Sequence, residues 1–136
     1  MCVGVAARLI DESVSYARER SQGGHPIGEY QLVQAMLADS QTEYLAARAL
    51  VLDAADRYED GTDRRLGPSA AKYFCSEAVG RIADRAVQVH GGAGYMRGVP
   101  VERFYRDARL FRIYEGTSQI QQVIIARALL GRAARG

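Results

Sequence analysis

The sequence predicts an all-α protein, an antiparallel four-helix bundle with a short extra helix, and three observations carry that expectation. Apolar residues recur at helical spacing through most of the 136-residue chain. Glycine-containing breaks divide that pattern into separate segments. No period-2 stretch is long enough to make a convincing strand. The length suits one domain with a modest helical core, and there is no internal repeat or low-complexity tract. Residues 1–136 are therefore taken as a single bundle domain.

A first helix is expected from about Cys2 to Glu19, ending at "SQGGHPIG", where Gly23, Gly24, Pro26 and Gly28 cannot continue it and a loop is expected. A second, long helix runs from about Glu29 to Tyr58. Its residues Tyr30, Val33, Leu37, Ser40, Tyr44, Ala47, Val51, Ala54 and Tyr58 alternate spacings of three and four, which makes a bundle seam. "EDGTD" ends it, with Gly61 suited to a left-handed cap. A third helix starts at Pro68, a residue at home in a first turn, and turns Ala71, Phe74, Ala78, Ile82 and Val89 inward before "HGGAGY". A short helix covers about Val101–Arg109. The last, about Ser118–Gly131, is expected to close the bundle with Ile120, Val123, Ile124, Ala128 and Leu129.

Composition narrows the function. Charged residues make up 25% of the chain and apolar ones 48%, the balance of a globular protein rather than a disordered tail. The 18 basic residues are interleaved with 16 acidic ones, so there is no clustered positive face for nucleic acid. Lys72 is the only lysine, a bias that favours planar arginine contacts or reflects codon usage. Cys2 and Cys75 match no metal or CxxC spacing and fit small apolar positions in a reducing compartment. No apolar run reaches the length of a membrane span, and acids appear too early for a secretory signal, so a cytoplasmic or matrix-like setting is expected.

No paired Glu-x-x-His motif offers a di-iron site, so no metal is expected; His25 and His90 are expected to be a loop residue and a carbonyl-bonded helix end. There is no Cys/His pair and no G-x-S-x-G elbow. Three junctions remain: "RERSQGGHPIGEYQ", "QVHGGAGY" and "RIYEGTSQIQ". Each sets glycine beside polar residues at a helix boundary, where unpaired N–H groups favour an anion, although ordinary caps have the same composition. In the third, Thr117 or Ser118 can cap the last helix, and Glu115 falls on the turn before the cap. The nearby helix end would lower the pKa of that carboxylate; burial against Ile113 and Tyr114 would raise it.

The order and spacing of "YARERSQGGHPIGEYQLVQAMLAD", "QVHGGAGY" and "YRDARLFRIYEGTSQIQQVIIAR" resembles the C-terminal α-helical domain of the acyl-CoA dehydrogenases over essentially the entire chain. The resemblance implies a flavin enzyme that converts an acyl-CoA thioester to a trans-2-enoyl-CoA. Glu115, the acid of "YEGT", would remove the proton next to the thioester carbonyl while the neighbouring carbon gives a hydride to FAD. The backbone N–H of Glu115 and a ribityl hydroxyl would polarise the carbonyl.

By the same resemblance Arg20 and Gln22 meet the FAD of a neighbouring subunit, as do Gln88, Gly91 and Gly92, while Thr117 and Gln119 line the FAD site of their own subunit. Tyr114 and Gly116 shape the substrate pocket, and Arg106 with Asp107 forms a structural ion pair. Implied partners are the acyl-CoA, further copies of the chain in a dimer or tetramer, and an electron acceptor such as an electron-transfer flavoprotein. Gly23 stands where the family usually has phenylalanine, which removes an aromatic contact near the flavin. The family's N-terminal helical and middle β-domains have no counterpart in this sequence, so the isolated chain is expected to be inactive and to be either an excised or truncated piece, which its start at "MCVGVAARLI" favours, or a natural short chain that needs a partner carrying those domains. The alternative is a non-catalytic helical module kept for assembly.

Overall fold

The computed structural model describes residues 1–133, with side-chain surroundings through residue 131, so the last positions of the expected domain lie outside the described residues. The chain runs α1 (Cys2–Glu19), β1 (Ser21–Gln22), β2 (His25–Pro26), a 3-10 turn (Ile27–Glu29), α2 (Gln31–Glu59), α3 (Leu66–His90), a 3-10 turn (Gly91–Tyr95), α4 (Pro100–Leu110) and α5 (Ser118–Ala133). The all-α bundle expected from the sequence is the fold observed.

Helix α3 is the axis. Ala71, Cys75, Ser76, Ala78, Val79, Ile82, Ala83, Ala86 and Val89 are buried around most of its circumference, and it packs against α1, α2, α4 and α5. A helix that is apolar or small on nearly every side is stable only inside other elements. The core joins Ala6 and Leu9 of α1 to Val79, Ile82, Ala83 and Ala86 of α3, Val101 and Ala108 of α4, and Phe111. Leu9 and Ile82 are almost wholly enclosed, and burial of each side chain stabilises the fold by roughly 1.5–3 kcal/mol.

The loop expected at "SQGGHPIG" is instead a miniature antiparallel hairpin, with Ser21 opposite Pro26 and Gln22 opposite His25. Gly23 and Gly24 both have positive φ, 60° and 87°, as a two-residue hairpin turn of this hand requires. The Tyr30 hydroxyl donates to the Gln22 carbonyl at 2.7 Å, so an aromatic residue from the start of α2 braces the turn that Gly23 opens. Helix α2 begins at Gln31 rather than Glu29 because the chain first makes the 3-10 turn. Helix α3 begins two residues before Pro68, for Asp63 accepts from the N–H groups of Arg65, Leu66 and Gly67 and caps the first turn.

Two packing expectations need correction. Of the α2 seam, Ser40, Ala47 and Ala54 are buried, but Tyr30, Val51 and Tyr58 are exposed, because α1 and α3 cover only one flank of the helix. Helix α5 closes the bundle with only part of its apolar stripe, Ile124 and Ala128 being half-buried. It lies chiefly on α3 and buries Ser118 and Gln121 near its start, while Ile120, Val123 and Leu129 remain exposed.

Candidate functional site

Two clusters of the expected site residues form, one at each end of α3. At the N-terminal end lies the turn that carries Glu115. Glu115 has φ 55°, the only positive φ among the described non-glycine residues, and Gly116 follows at φ 85°. A left-handed conformation costs an L-residue roughly 1–2 kcal/mol, so surrounding contacts must hold it.

Those contacts come from both flanking helices. The Gln121 side-chain amide donates to the Glu115 carbonyl at 3.1 Å, and the Lys72 ammonium donates to the Gly116 carbonyl at 2.6 Å. Glu77 ties both ends of the loop to α3, accepting from the Ser118 hydroxyl at 2.6 Å and from Arg112 Nη1 at 3.3 Å. The Arg112 guanidinium lies over Gly80, where a Cβ would sit 3.2 Å from Nη2; its Nε is buried without an acceptor among the described residues. Thr117 caps α5, its hydroxyl accepting from the Ile120 N–H at 3.4 Å.

The side chain of Glu115 is exposed and has no hydrogen-bond or ionic partner among the described residues; Ile113 and Tyr114 are exposed too, so they do not bury it. The backbone N–H groups of Glu115, Gly116 and Thr117 likewise have no acceptor among the described residues. Successive free N–H groups in left-handed backbone form a concavity that attracts negative charge. The turn thus presents a carboxylate and, beside it, donors for a developing oxyanion.

The second cluster sits at the C-terminal end of α3. Arg20, Gln22, Gly91 and Gly92 line one cavity of about 370 Å³ together with Tyr16 and His90. His90 is buried, with Nδ1 2.8 Å from the Ala86 carbonyl, and its ring stacks on Tyr16 with centroids 4.3 Å apart. Gly91 is at φ 58°, and nothing lies within 4 Å of where a Cβ would stand on Gly91 or Gly92, so a ligand can reach the backbone there. The Arg20 guanidinium has no partner among the described residues, so its fork is available to a phosphate. The donor set fits the pyrophosphate of a dinucleotide. Gln88 and Gln119 are exposed, and Gln88 lies outside this cavity.

The two clusters do not meet. Lys72, which touches the Glu115 turn, and Gly91, directly after the end of α3, are nineteen residues apart, roughly 28 Å at 1.5 Å per residue.

Residues 1–130 match the family model described as acyl-CoA dehydrogenase, C-terminal domain. The chain belongs to the acyl-CoA dehydrogenase family. Among relatives, it is 44% identical over 128 residues to the caffeyl-CoA reductase-Etf complex subunit CarC of Acetobacterium woodii, covering 94% of this chain and 34% of that protein. It is 43% identical over 132 residues to cyclohexane-1-carbonyl-CoA dehydrogenase of Geobacter metallireducens, covering 97% of this chain and 35% of that one. Among solved structures, butyryl-CoA dehydrogenase from Megasphaera elsdenii superposes with a TM-score of 0.92 at 36% identity, over 95% of this chain and 34% of that one. The chain spans about a third of the length of these relatives.

Within this acyl-CoA dehydrogenase domain the structure corrects one pairing and adds residues that sequence reasoning missed. Arg106 bonds Glu102 at 3.0 Å, not Asp107, since residues four apart share a helix face and adjacent residues do not. Lys72, Glu77 and Gln121 hold the Glu115 turn, and Lys72 had a visible signal as the only lysine. Gly94, passed over beside Gly91 and Gly92, has no room for a side chain: a Cβ there would come within 2.8 Å of His90 Cβ and the Val87 carbonyl. No group of three or more His, Cys, Asp or Glu suited to a metal occurs among the described residues, and no helix there is long and apolar enough to cross a membrane.

Proposed function

We propose that residues 1–136 form the C-terminal domain of an FAD-dependent enzyme that removes two hydrogens from adjacent carbons of an acyl-CoA thioester, with Glu115 as the base. The observation that carries this reading is the Glu115 turn: an exposed, unpaired carboxylate beside N–H groups with no acceptor among the described residues, on backbone held in a left-handed conformation. A proton next to a thioester carbonyl becomes acidic enough to transfer only when charge on the carbonyl oxygen is stabilised as it forms. The Glu115 N–H, one bond from the base's own Cα, is suited to that task. Tyr114 and Gly116 flank the base and shape the pocket wall, and Thr117 and Gln119 face the same subunit's flavin.

Bound FAD supplies the hydride acceptor. Arg20, Gln22, Gly91 and Gly92 hold its pyrophosphate, with Gln88 beside them. Because these residues lie roughly 28 Å along α3 from the Glu115 turn, the reading gives them to the cofactor of a second subunit and makes the working unit a dimer or tetramer. The exposed Ile120, Val123 and Leu129 of α5 supply apolar surface for such association. Substrate walls and the flavin ring site come from the remaining two thirds that relatives carry, so this chain alone is inactive. An electron-transfer flavoprotein as redox partner follows from the Etf complex in the name of the Acetobacterium relative.

The same atoms run the reaction backwards. Two similar relatives are named as reductases, caffeyl-CoA reductase and 3-(aryl)acrylate reductase, so an enoyl substrate with protonated Glu115 as donor is the second reading. In the complete enzyme, meaning this chain together with those remaining domains, Glu115→Gln should retain FAD but no longer bleach the flavin with an acyl-CoA. Full bleaching by that variant would overturn the assignment of the base. Absence of FAD from the complete assembly would favour a purely structural module instead.

A further inference from the structure

Lys72 stands out on two independent grounds. It is the only lysine in a chain whose other seventeen basic residues are all arginine. It also spends its ammonium on a single carbonyl, that of Gly116, 44 residues away and directly after the one described non-glycine residue with positive φ. A compact ammonium fits a lone carbonyl at 2.6 Å, whereas a planar guanidinium needs room for a fork of five donors.

We propose that Lys72 is a positioning residue for Glu115: its ammonium, acting with the Gln121 amide, sets the direction of the carboxylate and of the free N–H groups next to it. This rests on the reading of Glu115 as the base. In a trans peptide the C=O and N–H point in opposite directions. Lys72 draws the Gly116 carbonyl toward α3, so the Thr117 N–H turns away from α3. Gln121 draws the Glu115 carbonyl toward α5, so the Gly116 N–H turns away from Gln121. The two side chains also hold consecutive left-handed residues that would otherwise relax, since neither φ 55° at Glu115 nor φ 85° at Gly116 is supported by any regular element. Glu77 fixes the loop's ends, at Arg112 and Ser118, but touches neither residue of the turn itself. Orientation at the tip therefore depends on Lys72 and Gln121. A misplacement of about 1 Å at a reacting group lowers rate about a hundredfold, which sets the scale of the effect.

The test has two arms. In the 136-residue chain labelled uniformly with 15N, one lysine ammonium signal is expected, and Lys72→Met should remove it while shifting the backbone signals of Glu115, Gly116 and Thr117 and leaving those of Leu9, Ile82 and Val101 in place. In the complete enzyme, Lys72→Met should lower kcat about a hundredfold, with KM and bound FAD within about twofold of the parent. Lys72→Arg, which keeps the charge, should recover less than a tenth of the lost rate and serves as the test if Lys72→Met does not fold. Unmoved turn signals in Lys72→Met, or a kcat within threefold of the parent, would overturn the proposal, as would full recovery by arginine. Glu115→Gln is run beside them: turnover lost there but intact in Lys72→Met removes only the positioning role, whereas turnover retained in Glu115→Gln removes the base and this role with it.

Discussion

The substitution Gly116→Ala probes the turn most directly, because two separable costs meet at one atom. At φ 85° an alanine pays the left-handed penalty of roughly 1–2 kcal/mol. Its Cβ would also stand 2.7 Å from Gln121 Nε2, and the carboxamide must move. Gln121 is only 7% exposed, so a displaced amide has little water to turn to and gives up its bond to the Glu115 carbonyl, worth about 0.5–1.5 kcal/mol. The sum is about 1.5–3.5 kcal/mol in chemical denaturation of the chain. A double-mutant cycle separates the parts: once Gln121→Ala has cleared the space, Gly116→Ala should cost only the left-handed term, leaving a coupling of about 1 kcal/mol between the two sites. Strict additivity, with Gly116→Ala equally costly in both backgrounds, would refute the claim that Gln121 packs into the space Gly116 leaves.

Glu43 receives hydrogen bonds from Arg81 at 2.7 Å and Arg85 at 2.9 Å. Burial disfavours its charge, but the bonds from Arg85 and Arg81 outweigh that and hold the carboxyl below its usual range. A depressed folded-state pKa gives stability that is present above the unfolded value and lost as pH falls, so Glu43→Gln should cost about 1 kcal/mol at pH 7 and progressively less on titration into acid, followed by urea denaturation. Cys75 behaves in the opposite sense: burial, with Cys2 adding to it, pushes its thiol up to about 11. The unfolded chain releases that proton near the ordinary thiol pKa, so the parent should lose about 2–3 kcal/mol more stability than Cys75→Ala between pH 9 and 11; parallel pH curves would contradict the burial. In the complete enzyme, Arg20→Ala should weaken FAD at least tenfold by fluorescence titration, with kcat at saturating FAD nearly unchanged, since the guanidinium lies far from the turn.

Much of this molecule was legible in its sequence because helix periods, caps and glycine breaks are local. The spacing of apolar residues marked all five helices, the left-handed glycine after α2 was visible at Gly61, and Thr117 was readable as a cap. The three junction motifs identified the residues that line the Arg20 cavity and the Glu115 turn. Other features depended on the tertiary structure for a physical reason: periodicity gives the phase of a helix about its own axis but not which flank finds a neighbour. Thus Val51, Ile120 and Val123, all on sound apolar stripes, stay exposed because α1 and α3 cover only part of α2, and α5 meets little besides α3. Arg106 chose Glu102 over Asp107 by helix geometry. The conformation of Glu115 is set by Lys72 and by Gln121, and no local pattern connects Lys72 with a carbonyl 44 residues further on. Only the fold, by laying α3 beneath that turn, makes the contact.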